Sequence, residues 1–362
     1  MSKKTPLFEE HQKAHAQWID FHGWHLPLHY GSQLEEHLSV RRDAGMFDVS
    51  HMTIVDLLGA GGRQFLRDLL ANDVDKLKHA GQALYSCMLA PNGGVLDDLI
   101  VYQRAPDHYR IILNSATREK DLAWIQKHAE GLPVGIQERT DLAMIAIQGP
   151  RAIQKTVQTL ASEQIEAVSA LKPFESVELD GYFFAHTGYT GEHGLEVILP
   201  RAQAAHFWQN LVRNGVKPCG LGARDSLRLE AGMMLYGQDM DETTTPLEAA
   251  LGWTLAWEPQ DRNFIGRTAL SLQRQQGIQR KLVGLRLLEK GVMRAGQKIF
   301  VEGVGEGIIT SGTYSPILNR SIAFGRVPVK TEKQCSIEIR GKRLQAEITK
   351  PRFIQNGHPL QS

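Results

Sequence analysis

The sequence predicts an α+β fold with mostly antiparallel sheets, followed by a small all-β unit. Three observations carry this. Helix-period and strand-like runs are mixed through the first part of the chain, without the strict strand–helix alternation of a doubly wound fold. A polar break, Glu258-Pro259-Gln260-Asp261-Arg262-Asn263, is followed by a charged helical stretch over 267–276. Beyond Lys281 the chain is glycine-rich and reads as short strands.

The elements follow in order. Phe65, Leu66, Leu69 and Leu70 sit at helical spacing over 62–70, with Asn72-Asp73 as a stop signal. Phe207, Trp208, Leu211 and Val212 repeat the pattern over 203–213. Val95–Tyr102, Tyr109–Leu113, Leu142–Ile147 and Val177–Leu179 read as strands. In the last part Leu282–Leu288, Lys298–Val301, Gly307–Ser311, Ser336–Arg340 and Leu344–Ile348 do the same. Ser336-Ile337-Glu338-Ile339-Arg340 alternates polar and apolar, as a half-buried strand does. The domain boundary is expected near 275–281, giving one region over 1–275 and a β-barrel or sandwich over 281–362.

Charge narrows the function. Lys+Arg number 41 against Asp+Glu 40, a formal balance of +1 that lacks the basic footprint of a nucleic-acid binder. No run reaches the roughly 18 apolar residues of a membrane helix. The N-terminus, Met-Ser-Lys-Lys-Thr-Pro, has no apolar stretch behind its charges, so the expected location is cytoplasmic. Cys87, Cys219 and Cys335 are far apart and form no C-x-x-C pair, which argues against structural zinc and a disulfide framework. No metal is expected.

Four segments look chemical. In Gly45–Met52, His51 fits a general base or a hydrogen-bonded histidine at a strand entry. In Gly93–Tyr102, Asp97 and Asp98 either lie solvated in the turn or open an apolar strand. Successive strand residues face opposite ways, so at most one of them then enters a given pocket. Thr187–Glu196 has three glycines within seven positions, a sign of tight turns and close backbone approach, and it is no Walker loop. In Pro218–Gly232 a glycine-containing loop runs into a helix. Arg224 lies in the first turn, unfavourable to the helix dipole, and is the better ligand candidate; Arg228 reads as a surface or ion-pair residue.

These segments, with Thr5-Pro6-Leu7, Asp20–Trp24, Leu235–Glu242 and Ile309–Pro316, resemble the glycine cleavage T-protein family in order over nearly the whole chain. The resemblance implies a three-domain cloverleaf, in which two interwoven α+β domains and a C-terminal β-barrel surround a central folate channel. It implies an aminomethyltransferase that moves a one-carbon unit from the lipoyl arm of an H-protein to tetrahydrofolate. The products would be ammonia and 5,10-methylenetetrahydrofolate. The implied partners are lipoylated H-protein and, more loosely, the P and L proteins of the system. Asp98 matches the family's catalytic aspartate, Glu196 its pterin-reading carboxylate and Arg224 a folate-binding arginine. Met52, Tyr85, Ile100, Asn114 and Tyr189 match positions lining the pocket. Flavin-linked folate domains of similar pattern belong to longer chains with a dinucleotide fingerprint, which this sequence lacks. A non-catalytic accessory branch carries a Lys-Gly-Cys-Tyr-type motif where this chain has Arg-Leu-Glu-Ala-Gly.

Overall fold

The structure, a computed structural model, describes residues 2–360. It is a mixed α+β fold whose chain divides into two compact, interleaved units. The first comprises 1–62, 76–84 and 100–227, and the second 63–75, 85–99 and 228–362.

The first unit is built on a six-stranded sheet in the order Ser176–Leu179, Tyr182–Ala185, Gly194–Pro200, Leu142–Gln148, Gly45–Asp48 and Lys217–Pro218. All its pairings are antiparallel except the last, which is parallel. Leu142–Gln148 is buried along its whole length and Gly194–Pro200 is buried except at its last residue, as expected of strands covered on both faces. One face packs Ile145, Ile147, Leu195, Val197 and Leu199 against Phe207, Trp208 and Leu211 of the helix Arg201–Arg213. The other face contributes Met144, Ala146 and Ile198 to a second cluster with Phe47, Tyr102, Phe183 and Leu227. Loop Thr187–His193 and helix Leu221–Ala231 belong to this second side through Thr187, which bonds Tyr102, and through Ala223 and Leu227.

A five-stranded sheet runs Ala83–Leu89, Val95–Ala105, His108–Leu113, Thr53–Leu58 and Gly135–Glu138. Its strand Val95–Ala105 leaves the second unit and enters the first after Leu99. The start of that strand is fixed by crowding. A Cβ on Gly94 would lie 1.9 Å from the carbonyl oxygen of Glu242, so only glycine fits there. The next amide, Val95 N–H, donates to Asp241 O at 3.2 Å and Thr244 O at 3.0 Å.

The second unit ends in a closed six-stranded barrel: Arg280–Leu287, Arg320–Pro328, Gly305–Ser315, Lys298–Val301, Gln334–Ile339 and Lys342–Thr349. Closure removes the free edges that an open sheet would present. Leu285, Ile299, Ile309, Ala323, Val327, Ile337 and Ala346 fill its interior. The barrel or sandwich expected from the pattern is therefore a barrel; the five strands read there sit within a few residues of their expected ends, and Arg320–Pro328 is a sixth that the pattern did not mark.

Arg228 is the main surprise. It is only 1% exposed, ion-paired to Asp239 at 2.7 Å and donating to Ser311 Oγ of the barrel strand Gly305–Ser315 at 2.8 Å. Asp239 also accepts from Leu235 N–H at 2.9 Å and from Thr310 Oγ1 at 2.5 Å. The ion-pair reading holds and the surface reading does not. Removing one member of a buried pair strands the other, at a cost of about 3–5 kcal/mol. Arg228→Met is expected to move the urea unfolding midpoint well below that of the native chain. An unchanged midpoint would show that the network carries no net stability.

Candidate active site

Two groups of side chains, one in each unit, stand out. In the first unit the centre is Glu196, the third residue of Gly194–Pro200. Its cross-strand neighbours are Ala185 and Ala146, both buried and neither carrying a polar side chain. The residue is 7% exposed, and its carboxylate Oε2 accepts a hydrogen bond from Thr187 Oγ1 at 2.6 Å. Among the described residues, Oε1 accepts none from the protein. Burial pushes the Glu196 pKa up, while the Thr187 hydrogen bond and the charge of Arg224 pull the other way. A buried carboxylate with one oxygen held and the other open needs a donor from outside the protein.

Arg224 projects from the first turn of Leu221–Ala231, and its guanidinium lies 4.7 Å from the ring centroid of Tyr189. The helix is held from below by Arg41. That side chain is buried, donates to Leu227 O at 3.3 Å and to Thr190 O at 2.7 Å, and pairs with Glu192 at 2.8 Å. One arginine thus ties the Tyr189 loop to the Arg224 helix. Met52 and Ile100, both half-buried, pack against the cluster containing Tyr102 and Phe183. Asn114, also half-buried, follows the last residue of His108–Leu113, and its carbonyl accepts from Thr117 Oγ1 at 3.0 Å.

The glycines of Thr187–Glu196 have a structural explanation. A Cβ at Gly188 would meet Gln148 Oε1 at 1.9 Å, and Gly191 has φ +76°. The close approach read from their spacing is an approach to Gln148. That residue donates to Thr187 O at 3.0 Å and accepts from Thr190 Oγ1 at 2.8 Å, clamping both ends of the turn.

His51 is 5% exposed, and its Nδ1 lacks a hydrogen-bond partner. Burial, then the nearby Arg224 charge, push its pKa down to about 4, so it is neutral at neutral pH. A general base poised near neutrality is not what this environment makes, and the hydrogen-bonded alternative fails at Nδ1.

In the second unit, Asp97 and Asp98 both lie in the strand Val95–Ala105, which overturns the solvated-turn reading. Asp97 is fully buried and Asp98 half-buried. Tyr85 Oη donates to Asp98 Oδ2 at 2.9 Å. The Tyr85 ring in turn stacks on Trp253, with centroids 5.5 Å apart and planes at 20°. Trp253 is 64% exposed, a large apolar surface on the ring whose hydroxyl hydrogen-bonds Asp98. Sequence reasoning missed Trp253, which lies in a short 3₁₀ turn, Gly252–Thr254, with no periodicity to mark it.

Alignment to family models decides the lineage. Residues 7–259 match the GCVT N-terminal domain, and residues 280–355 match the glycine cleavage T-protein C-terminal barrel domain. The chain belongs to the glycine cleavage T-protein family. Among family relatives, an aminomethyltransferase of Legionella pneumophila strain Corby is 63% identical over 360 residues, covering 99% of this chain and 100% of that one. Another, from strain Paris, is 62% identical with the same coverage. The crystal structure of the glycine cleavage system aminomethyltransferase T from Bartonella henselae superposes with a TM-score of 0.91 at 34% identity, covering 96% of this chain and 97% of that one. The function is accordingly that of a glycine cleavage T-protein.

Burial pushes all three thiols up, with Cys335 at about 12, so each is a core residue and none is an activated nucleophile. No helix among the described residues is long and apolar enough to cross a membrane.

Proposed function

We propose that this chain transfers the aminomethyl carbon held on the lipoyl arm of an H-protein to tetrahydrofolate, giving 5,10-methylenetetrahydrofolate, ammonia and the dihydrolipoyl H-protein. The observation that carries this reading is the Glu196 carboxylate, buried, with one oxygen fixed by Thr187 and the other open. Such a group suits the edge of a pterin, whose ring N–H and amino group offer two donors side by side. Met52, Ile100 and Tyr189 supply apolar and aromatic surface of the kind a flat ring needs. Asn114 offers an amide to the same ligand, and Arg224 a cation for its acidic portion. Tetrahydrofolate supplies the nitrogens that take up the carbon.

The chemistry assigned to the protein is modest. Asp98, steadied by the Tyr85 hydroxyl, bears negative charge beside the Tyr85 ring, which in turn stacks on the exposed Trp253. In that role it stabilises positive charge developing on the aminomethyl carbon, or takes the proton released by the attacking nitrogen, as the carbon–sulfur bond breaks to leave the thiol on the arm and the amino group departs as ammonia. Much of the remaining rate comes from holding donor and acceptor in register. The P and L proteins of the system act on the same H-protein and are the looser partners in this scheme.

Positioning of a protein-borne arm has a testable consequence. Loaded H-protein is expected to show a much higher kcat/KM than free aminomethyl-dihydrolipoamide, with both measured by the methylenetetrahydrofolate formed. Equal values for the two donors would mean that no surface of this chain recognises the H-protein.

A further inference from the structure

We propose that Thr187 is a positioning residue: the one-way hydroxyl chain Tyr102–Thr187–Glu196 holds Glu196 as a hydrogen-bond acceptor and so restricts the site to ring edges that present adjacent donors. This rests on the reading of Glu196 as the ligand-facing carboxylate.

Proton accounting gives the chain its direction. A threonine hydroxyl has one proton, and Thr187 directs it to Glu196 Oε2 at 2.6 Å. The second contact of Thr187 Oγ1, with Tyr102 Oη at 2.9 Å, must then be donated by the tyrosine. Tyr102 has a single proton as well, and its ring is 1% exposed, edge-on to Phe183 with centroids 5.1 Å apart at 86°. Reversal is disfavoured. With a proton on Glu196 Oε2 given to Thr187, the threonine hydroxyl would turn to Tyr102 Oη and the buried tyrosine proton would lose its acceptor. A carboxylate that accepts at both oxygens avoids this conflict.

Neither neighbouring strand competes with Thr187, since Ala185 and Ala146 flank Glu196. The charged and titratable groups facing the carboxylate are Arg224, from the helix Leu221–Ala231, and Tyr102, from the strand Val95–Ala105. The loop cannot drift either, because Gln148 grips Thr187 O at 3.0 Å and Gly188 packs directly on the Gln148 amide. The ligand class that follows is a 2-amino ring with an adjacent N–H. A ring with a carbonyl in place of the amino group would set an acceptor against an acceptor and be rejected.

The sign of the pH effect is fixed. Burial raises the Glu196 pKa, and the Thr187 hydrogen bond lowers it. The accepting form exists above that pKa. Removing the hydroxyl therefore raises the pKa further, and ligand binding is lost at a higher pH.

The test is calorimetric titration of tetrahydrofolate into the full-length native chain, Thr187→Val, Thr187→Ser, Tyr102→Phe and Glu196→Gln, from mildly acid to mildly alkaline pH. Thr187→Val is expected to weaken binding about tenfold near neutrality, the effect of one hydrogen bond to a charged group, and to shift the acid limb upward. Thr187→Ser restores both, and Tyr102→Phe shifts the limb in the same direction by less. Native affinity and a native acid limb in a folded Thr187→Val would overturn the proposal. Should that variant not fold, a native limb in Tyr102→Phe overturns it instead. Weak binding by Glu196→Gln together with native binding by Thr187→Val refutes the relay alone. Native binding by Glu196→Gln refutes the reading of Glu196 and the relay with it.

Discussion

Asp98→Asn is expected to lower kcat by about a hundredfold or more, while the dissociation constant for tetrahydrofolate changes little. General-base assistance is typically worth 10²–10⁴-fold, and electrostatic stabilisation of a transition state about 10²–10³. Either contribution disappears when the carboxylate becomes a neutral amide of the same shape. Tyr85 Oη, now 2.9 Å from Asp98 Oδ2, still has an oxygen to donate to, so the local structure survives and the loss reports on charge. Asp97 is the internal control. It is fully buried on the opposite face of the same strand, so Asp97→Asn should cost stability and leave kcat within a few-fold of native. A dead but folded Asp97→Asn beside a live Asp98→Asn would mean that the wrong strand face has been assigned. Full activity in both would remove the carboxylate from the mechanism.

Glu196→Gln is expected to weaken tetrahydrofolate binding by roughly tenfold to a hundredfold, since a hydrogen bond to a charged group contributes about 1.5–3 kcal/mol. Glutamine keeps the size of the side chain. If its amide nitrogen faces the ligand, a donor meets a donor. If the nitrogen turns toward Thr187, the threonine proton loses its acceptor and the Tyr102–Thr187 chain must reverse. Both orientations break one partner, and neither avoids the loss. Fold stability should not fall, because the native carboxylate is held against its burial cost by a single protein hydrogen bond and the field of Arg224. An unchanged dissociation constant by calorimetry would take Glu196 out of the site.

Much of the fold was legible in the chain because period and composition report on local burial. The strands Leu142–Gln148 and His108–Leu113 and the helix Arg201–Arg213 follow from apolar spacing alone. What the pattern could not supply were partners distant in sequence. Arg228 reads as a surface or ion-pair residue, and only the placement of Asp239 and Ser311 around it shows that it is buried in an ion pair. The Asp97-Asp98 pair stays open between a solvated turn and the start of a strand until the Glu242 carbonyl leaves Gly94 no room for a side chain and the Asp241 and Thr244 carbonyls take the Val95 amide, so that the strand begins there. The glycines after Thr187 announced a close approach without naming Gln148 as its object. At the candidate site, residue type and family resemblance pointed to Glu196, Arg224 and Asp98. The groups that orient them, Thr187, Arg41 and Tyr102, have side chains too common to stand out in a sequence. Trp253 had no signal at all, since an isolated exposed aromatic belongs to no period.

The most direct measurement of the central claim is a single-turnover reaction of aminomethyl-loaded H-protein with this chain, with and without tetrahydrofolate, following ammonia and 5,10-methylenetetrahydrofolate together. Rapid release of ammonia is expected only when tetrahydrofolate is present, with methylenetetrahydrofolate formed in equal amount. Ammonia released at the same rate without tetrahydrofolate, or with no methylenetetrahydrofolate formed, would contradict the claim.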